Sequence, residues 1–282
     1  EQERTASMNK LLKQSPYIAA TYDRWLSSSG DQLYPRGVRS ATAELIGNSQ
    51  RSDDKQLQIA GGIVELLCAA ERVPDKLRLG EDARSALSDY AGLYWSLIKS
   101  RANFDSAGRV TYDEAWGTVP RSRCASHTKK SAPRADQCTG ARSLSLDLGH
   151  FARVPTVIES YQRCGFADGE ALLKGLAMQF ADRVWNGDIK NPQFFNYFSG
   201  TGMYGWYNRT FDSDGKQRSR GWAPLSLSNK APAYFPLGRY STRVQRLGQE
   251  YLTANRNSLR ITAKSDMDRV LYVLASLPGF VE

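Results

Sequence analysis

Apolar residues recur at roughly every third or fourth position over three long stretches, and this periodicity constrains the fold more than any other feature of the chain. The first, Asp54 to Arg72, carries Leu57, Ile59, Ile63, Val64, Leu66 and Leu67 on one wide face and is stopped by Pro74. The second, Glu81 to Ser100, repeats the pattern with Ala83, Leu87, Tyr90, Ala91, Tyr94, Leu97 and Ile98. The third, Gly169 to Trp185, does so with Leu172, Leu173, Leu176, Phe180 and Val184. Weaker patterning predicts helices at Tyr17 to Ser27, Ala41 to Ile46, Phe151 to Arg163, Tyr240 to Ala254 and Lys264 to Leu277. Helices spread this evenly predict a mainly α fold.

Two short segments look alike, Phe104-Asp105-Ser106-Ala107-Gly108-Arg109 and Phe211-Asp212-Ser213-Asp214-Gly215-Lys216. Each has β-hairpin turn residues and each sits between helices, which suggests stacked antiparallel helical hairpins with short β-hairpin excursions. The plainer reading is two unrelated turns. Asp212 and Asp214 do not make an EF-hand, because Ala223 stands where the loop needs its bidentate Glu. No linker divides the chain, so residues 1–282 are read as one helical domain.

Composition narrows the class. Apolar residues make up 41% and charged residues 24%, as in globular proteins, and no run approaches the ~18 apolar residues of a membrane span. The polar start Glu1-Gln2-Glu3-Arg4-Thr5 lacks an initiator Met, which fits either a chain beginning after a removed signal peptide or a fragment of a longer protein. Cys124 and Cys138 flank a Ser/Lys/Arg-rich loop and are expected to staple it, which also points to a periplasmic or secreted protein. Cys68 and Cys164 lie on predicted helices, either as a second bridge or as buried thiols. With no CxxC and only His127 and His150, neither a Cys/His zinc site nor a Cys–His catalytic pair is expected. The net charge of +9 favours a polyanionic partner. Nucleic acid is not the expected one, because Lys and Arg are scattered outside Arg121 to Arg142 and no reader motif occurs.

The richest chemistry lies between Leu146 and Arg209. Asp147 is placed to cap a helix, with His150 in its first turn. Downstream, Asn191-Pro192-Gln193-Phe194-Phe195-Asn196-Tyr197-Phe198 is rich in rings and amides, and Gly200, Gly202 and Gly205 permit close approach. Tyr204, Trp206, Tyr207, Asn208 and Arg209 add stacking faces and a cation, a mixture suited to sugars. The alternative is a buried aromatic plug between helices. No Gly-x-Ser-x-Gly elbow occurs, and Gly200-Thr201-Gly202 has neither the spacing nor the lysine of a phosphate loop, so no nucleotide cofactor is expected.

An Asp-x-x-His helix start, a helical hairpin and a Pro-x-Phe-x-Asn-Tyr loop together resemble a recurring layout in bacterial α/α-toroid proteins that act on polysaccharides. The resemblance covers about residues 146 to 206 and concerns layout alone, since the Asn-Asn-His-Ser-Tyr-Trp type of motif of alginate lyases of that fold is absent. It implies that Asp147, His150, Asn196 and Tyr197 face a central cleft. A lyase acting on a uronic-acid polymer needs a group to neutralise the carboxylate, a base for the C5 proton and an acid for the leaving oxygen. Asn196, His150 and a tyrosine fit these roles. Tyr197, Tyr204 and Tyr207 are the tyrosine candidates, with Arg209 or Arg163 near the substrate carboxylate. A glycoside hydrolase would need two facing carboxylates, Asp147 with Glu159 or Asp113 with Glu114. The leading expectation is an exported protein that binds and depolymerises an acidic polysaccharide, a lyase before a hydrolase. The alternative is a non-catalytic module that binds a glycan or host protein.

Overall fold

Helix α1, Asp53–Arg72, buries Leu57, Ala60, Ile63, Val64 and Ala70, the face its periodicity marks out. It ends before Pro74, with the Val73 amide donating back to the Ala69 carbonyl at 2.9 Å. Helix α2, Glu81–Ser100, has the bounds read from the sequence and buries Leu87, Tyr90, Ala91, Tyr94, Trp95 and Ile98. Trp95 stacks on Tyr161 with centroids 4.8 Å apart. The computed structural model describes residues 53–74, 79–112, 123–126, 147–200, 204–207 and 225–255. The expected helices at Tyr17 to Ser27, Ala41 to Ile46 and Lys264 to Leu277, and the turn at 211 to 216, lie outside the described residues.

The turn at 104 to 109 is the expected hairpin. Strands β1, Ala102–Phe104, and β2, Val110–Tyr112, pair antiparallel with Phe104 opposite Val110. Asp105 Oδ1 accepts the amides of Ala107 and Arg109, and Gly108 takes the left-handed φ of +79°. A second antiparallel pair joins β3, Arg123–Ser126, to β4, Tyr204–Tyr207, with Cys124 opposite Trp206.

The helix expected from Phe151 onward starts earlier and is broken. A single turn, α3, spans Leu148–Phe151, and α4, Arg153–Arg163, follows. Helix α4 closes in a Schellman motif: the Gly165 amide donates to Gln162 and the Phe166 amide to Tyr161, with Phe166 packed edge-on against the Tyr161 ring. Helix α5, Gly169–Gln179, stops short of Trp185 and widens into a π turn over Phe180–Val184, where the Trp185 amide reaches the Phe180 carbonyl at 3.0 Å. That turn sends Phe180 and Val184 fully into the core.

Sequence periodicity did not reveal Ser228–Arg239, a 3₁₀ stretch containing Pro232 and Pro236. Both prolines lack the N–H that an α-helix would use, yet Ala231, Tyr234, Phe235 and Leu237 are buried. Helix α6, Thr242–Asn255, packs back on this stretch, with Gly248 against Phe235. The described residues are thus mainly helical, with two small antiparallel strand pairs. No helix among them is long and apolar enough to cross a membrane.

Helices α1 and α4 lie side by side. A Cβ at Gly61 would stand 3.1 Å from Val157 Cγ2, Glu65 pairs with Arg163, and Cys68 is disulfide-bonded to Cys164. These contacts advance together along both helices, so α1 and α4 run parallel. The bridge resolves the two readings left open for Cys68 and Cys164. The expected Cys124–Cys138 staple cannot be followed, because Cys138 lies outside the described residues.

Candidate active site

Asp147 caps α3 from an extended backbone, with φ −63° and ψ 159°. Its Oδ1 accepts the amides of Gly149 at 3.0 Å and His150 at 3.2 Å, so the first turn needs no other cap. Its Oδ2 stands 2.7 Å from His150 Nδ1. The Asp147 side chain is 2% exposed and that of His150 29% exposed, so a buried carboxylate orients a ring that reaches solvent. A carboxylate only accepts, so the proton of this contact sits on Nδ1.

Three backbone segments hold this pair. Asp147 bridges Tyr197 in an isolated antiparallel pairing, and the Leu148 amide donates to the Asn196 carbonyl at 2.8 Å. Asn196 Oδ1 in turn accepts the Leu227 amide at 3.0 Å, and Ser228 Oγ both accepts from and donates to the Phe194 backbone. Tyr234 donates its hydroxyl to the Leu148 carbonyl at 2.7 Å. Burial, helped by the negative charge of Asp147, pushes the Tyr234 hydroxyl well above its ordinary range, so it remains a neutral donor.

Beneath the pair runs a column of rings. Phe151 stacks on Phe198 at 4.0 Å, Phe198 on Tyr234 at 5.4 Å, Tyr234 on Phe180 at 4.9 Å and Phe180 on Phe194 at 5.5 Å. The 191 to 198 segment is therefore a plug at Phe194, Asn196, Tyr197 and Phe198, all at most 1% exposed. Asn196 and Tyr197 lie beside Asp147 and Leu148, but both are buried in the core instead of facing a cleft.

Other candidate residues are distributed differently. Arg163 lies at the far end of α4 from His150, where it pairs with Glu65 and its carbonyl accepts from Arg72, an arrangement that joins helices. Glu159 is buried and bound by Arg239, at a small recess lined in part by Pro155, Leu173, Pro236 and Tyr240. Desolvation raises its carboxyl above the usual range, against the opposing pull of Arg239. Tyr204, Trp206 and Tyr207 lie on β4, and their backbone pairs with residues 123–126. Arg209, Asp113, Glu114 and His127 lie outside the described residues. Among the described residues no group of three or more His, Cys, Asp or Glu side chains could hold a metal ion.

Sequence reasoning missed Tyr234 and Lys230. The Lys230 side chain crosses Gly149, its Cγ 3.8 Å from where a Cβ on that glycine would stand. Neither lies on a periodic face. The available signal was the alternation of rings and prolines after Ser228-Asn229-Lys230, which marks an ordered non-helical segment. No family model, curated protein or solved structure matches the chain.

Proposed function

We propose that the protein is an exported α/α-toroid-like enzyme that depolymerises an acidic polysaccharide by β-elimination, with His150 as the proton-transferring group. The observation that carries this reading is the 2.7 Å contact of the buried Asp147 carboxylate with the Nδ1 of the partly exposed His150. A base so oriented fits abstraction of the acidic C5 proton of a uronate. The C5–H bond breaks, the proton goes to Nε2, the electron pair forms the C4=C5 bond, and the C4–O bond breaks as its oxygen takes that proton back from the His150 imidazolium.

Supporting observations are independent of one another. The chain carries a net charge of +9, which attracts a polyanion. Parallel packing of α1 on α4, each followed by a further helix, is the neighbour relation expected of stacked helical hairpins. The Cys68–Cys164 bridge fits an oxidising compartment. Lyase is favoured over hydrolase because, among the described residues, both buried carboxylates are already engaged, Asp147 by His150 and Glu159 by Arg239, whereas a hydrolase needs two that face the scissile bond.

The test is incubation with alginate, polygalacturonate, hyaluronan and neutral polysaccharides, following new reducing ends and the absorbance of unsaturated uronate. Both signals should rise together on one of the acidic polymers and vanish in His150→Ala. Reducing ends without the absorbance would replace the lyase with a hydrolase. Activity unchanged in His150→Ala would move the site elsewhere, and no product from any polymer would leave a non-catalytic glycan-binding module.

A further inference from the structure

The lysine across Gly149 brings a cation to the proposed site, beside the Asp147–His150 pair of the described residues. Its backbone is fixed on both sides: the Lys230 amide donates to the Leu227 carbonyl at 2.8 Å, and the next residue, Ala231, is fully buried. Leu227 is itself held by Asn196, and Tyr234 by the Leu148 carbonyl. The side chain therefore starts from a rigid base. Gly149 offers no side chain, so the aliphatic stem of Lys230 rests against the residue that directly precedes His150. Lys230 is partly exposed and forms no ion pair among the described residues. Two arginines further along the same 225–255 stretch differ: Arg239 is committed to Glu159 and Arg243 to Asp182.

We infer that Lys230 is the carboxylate-binding residue of the site, gripping the uronate whose C5 proton faces His150. Proton abstraction next to a carboxylate drives negative charge onto its oxygens, and an ammonium held there stabilises that charge as it develops. Of the candidates the sequence offers for this role, Asn196 is buried with its Oδ1 bonded to Leu227, Arg163 belongs to the α1–α4 contact, and Arg209 lies outside the described residues. The inference rests on the acidic-polysaccharide reading.

Its test uses the full chain, with binding of polygalacturonate and alginate measured by calorimetry beside their carboxyl-reduced forms. Lys230→Met should weaken binding of the native polymer by about tenfold or more, as expected for loss of a hydrogen bond to a charged group. It should leave the carboxyl-reduced polymer and the melting temperature unchanged, and Lys230→Arg should recover most of the loss. Equal binding by Lys230→Met and wild type, or equal losses on both polymer forms, would overturn the assignment. Wild type that binds polyuronates without cleaving them would remove the enzyme reading and leave Lys230 in place. Cleavage that is indifferent to Lys230→Met would remove Lys230 alone. Wild type that binds no polyuronate would remove both.

Discussion

Asp147 and Glu159 are the two buried carboxylates of the described residues, at 2% and 4% exposure, and they are handled in opposite ways. Asp147 takes two backbone amides on one oxygen and an imidazole on the other. Glu159 takes a guanidinium, and through Arg239 it clamps the proline-containing 3₁₀ stretch onto α4. An arginine stays charged at every ordinary pH, so the second pair can only hold. An imidazole can both give and take a proton at its two ring nitrogens, and on the proposed reading the first pair uses this while its carboxylate stays fixed by the backbone. Equal burial therefore says little about role, and the partner decides it.

The sharpest way to break this comparison is to neutralise each carboxylate without changing its size. Asp147→Asn can donate to Nδ1 as well as accept from it, so the ring loses its fixed tautomer. If the proposed lyase activity holds, its turnover should fall by about 10³ to 10⁴-fold, near the upper range for general acid–base groups. Glu159→Gln should leave turnover within about twofold at a temperature where both variants are folded. Comparable losses in steady-state kcat would show that the two pairs form one functional unit.

The sequence made the helices legible where burial follows a 3.6-residue period, as at Leu57 to Ala70 and Leu87 to Ile98. It also made the Asp147 cap and His150 legible, because a cap followed by a first-turn histidine is a local pattern. What stayed hidden was long-range. The ring column joins Phe151, Phe180, Phe194, Phe198 and Tyr234, residues of four separate segments whose stacking no local window records. The same limit made the ring-rich segment at 191 to 198 look like an open wall, since a ring that stacks on a sugar and one that stacks on another ring have the same spelling. The Cys68–Cys164 pairing was likewise open until α1 was seen beside α4.

Removing that bridge asks whether the two carboxylates are energetically separate. It links positions 96 residues apart, and Cys68→Ala with Cys164→Ala should lower unfolding free energy by about 4 to 5 kcal/mol through the entropy regained by the unfolded chain. Denaturant titration measures this. The staple lies at the Arg163 end of α4, so turnover below the new transition should stay near wild type. A parallel loss of activity would mean that the staple also sets the geometry of the Asp147 pair.

Arg239→Met should cost less, about 1 to 3 kcal/mol, because it leaves the Glu159 carboxyl buried without its guanidinium while a protonated carboxyl limits the penalty. Glu159→Gln should cost still less, since Arg239 is 40% exposed and water takes over its charge. The order of the two losses in a thermal or urea melt is the decisive reading. A larger loss for Glu159→Gln would mean that Arg239, and not the carboxylate, is the strained member.

The smallest effect concerns pH, and its sign follows from the direction of the Glu159 shift. Desolvation holds the folded-state value above the ordinary 4.5, so between those values the folded chain binds more protons than the unfolded chain. Stability contributed by this group is then highest at acid pH and falls as pH rises from the ordinary value through the raised one. Glu159→Gln deletes the titration. Plotted as wild type minus variant, unfolding free energy should therefore decline across that window and flatten on either side. A difference that rises with pH would mean that Arg239 outweighs desolvation and lowers the Glu159 value. Glu159 would then be held as an anion by Arg239, and the comparison with Asp147 would rest on the partner alone, a guanidinium against an imidazole.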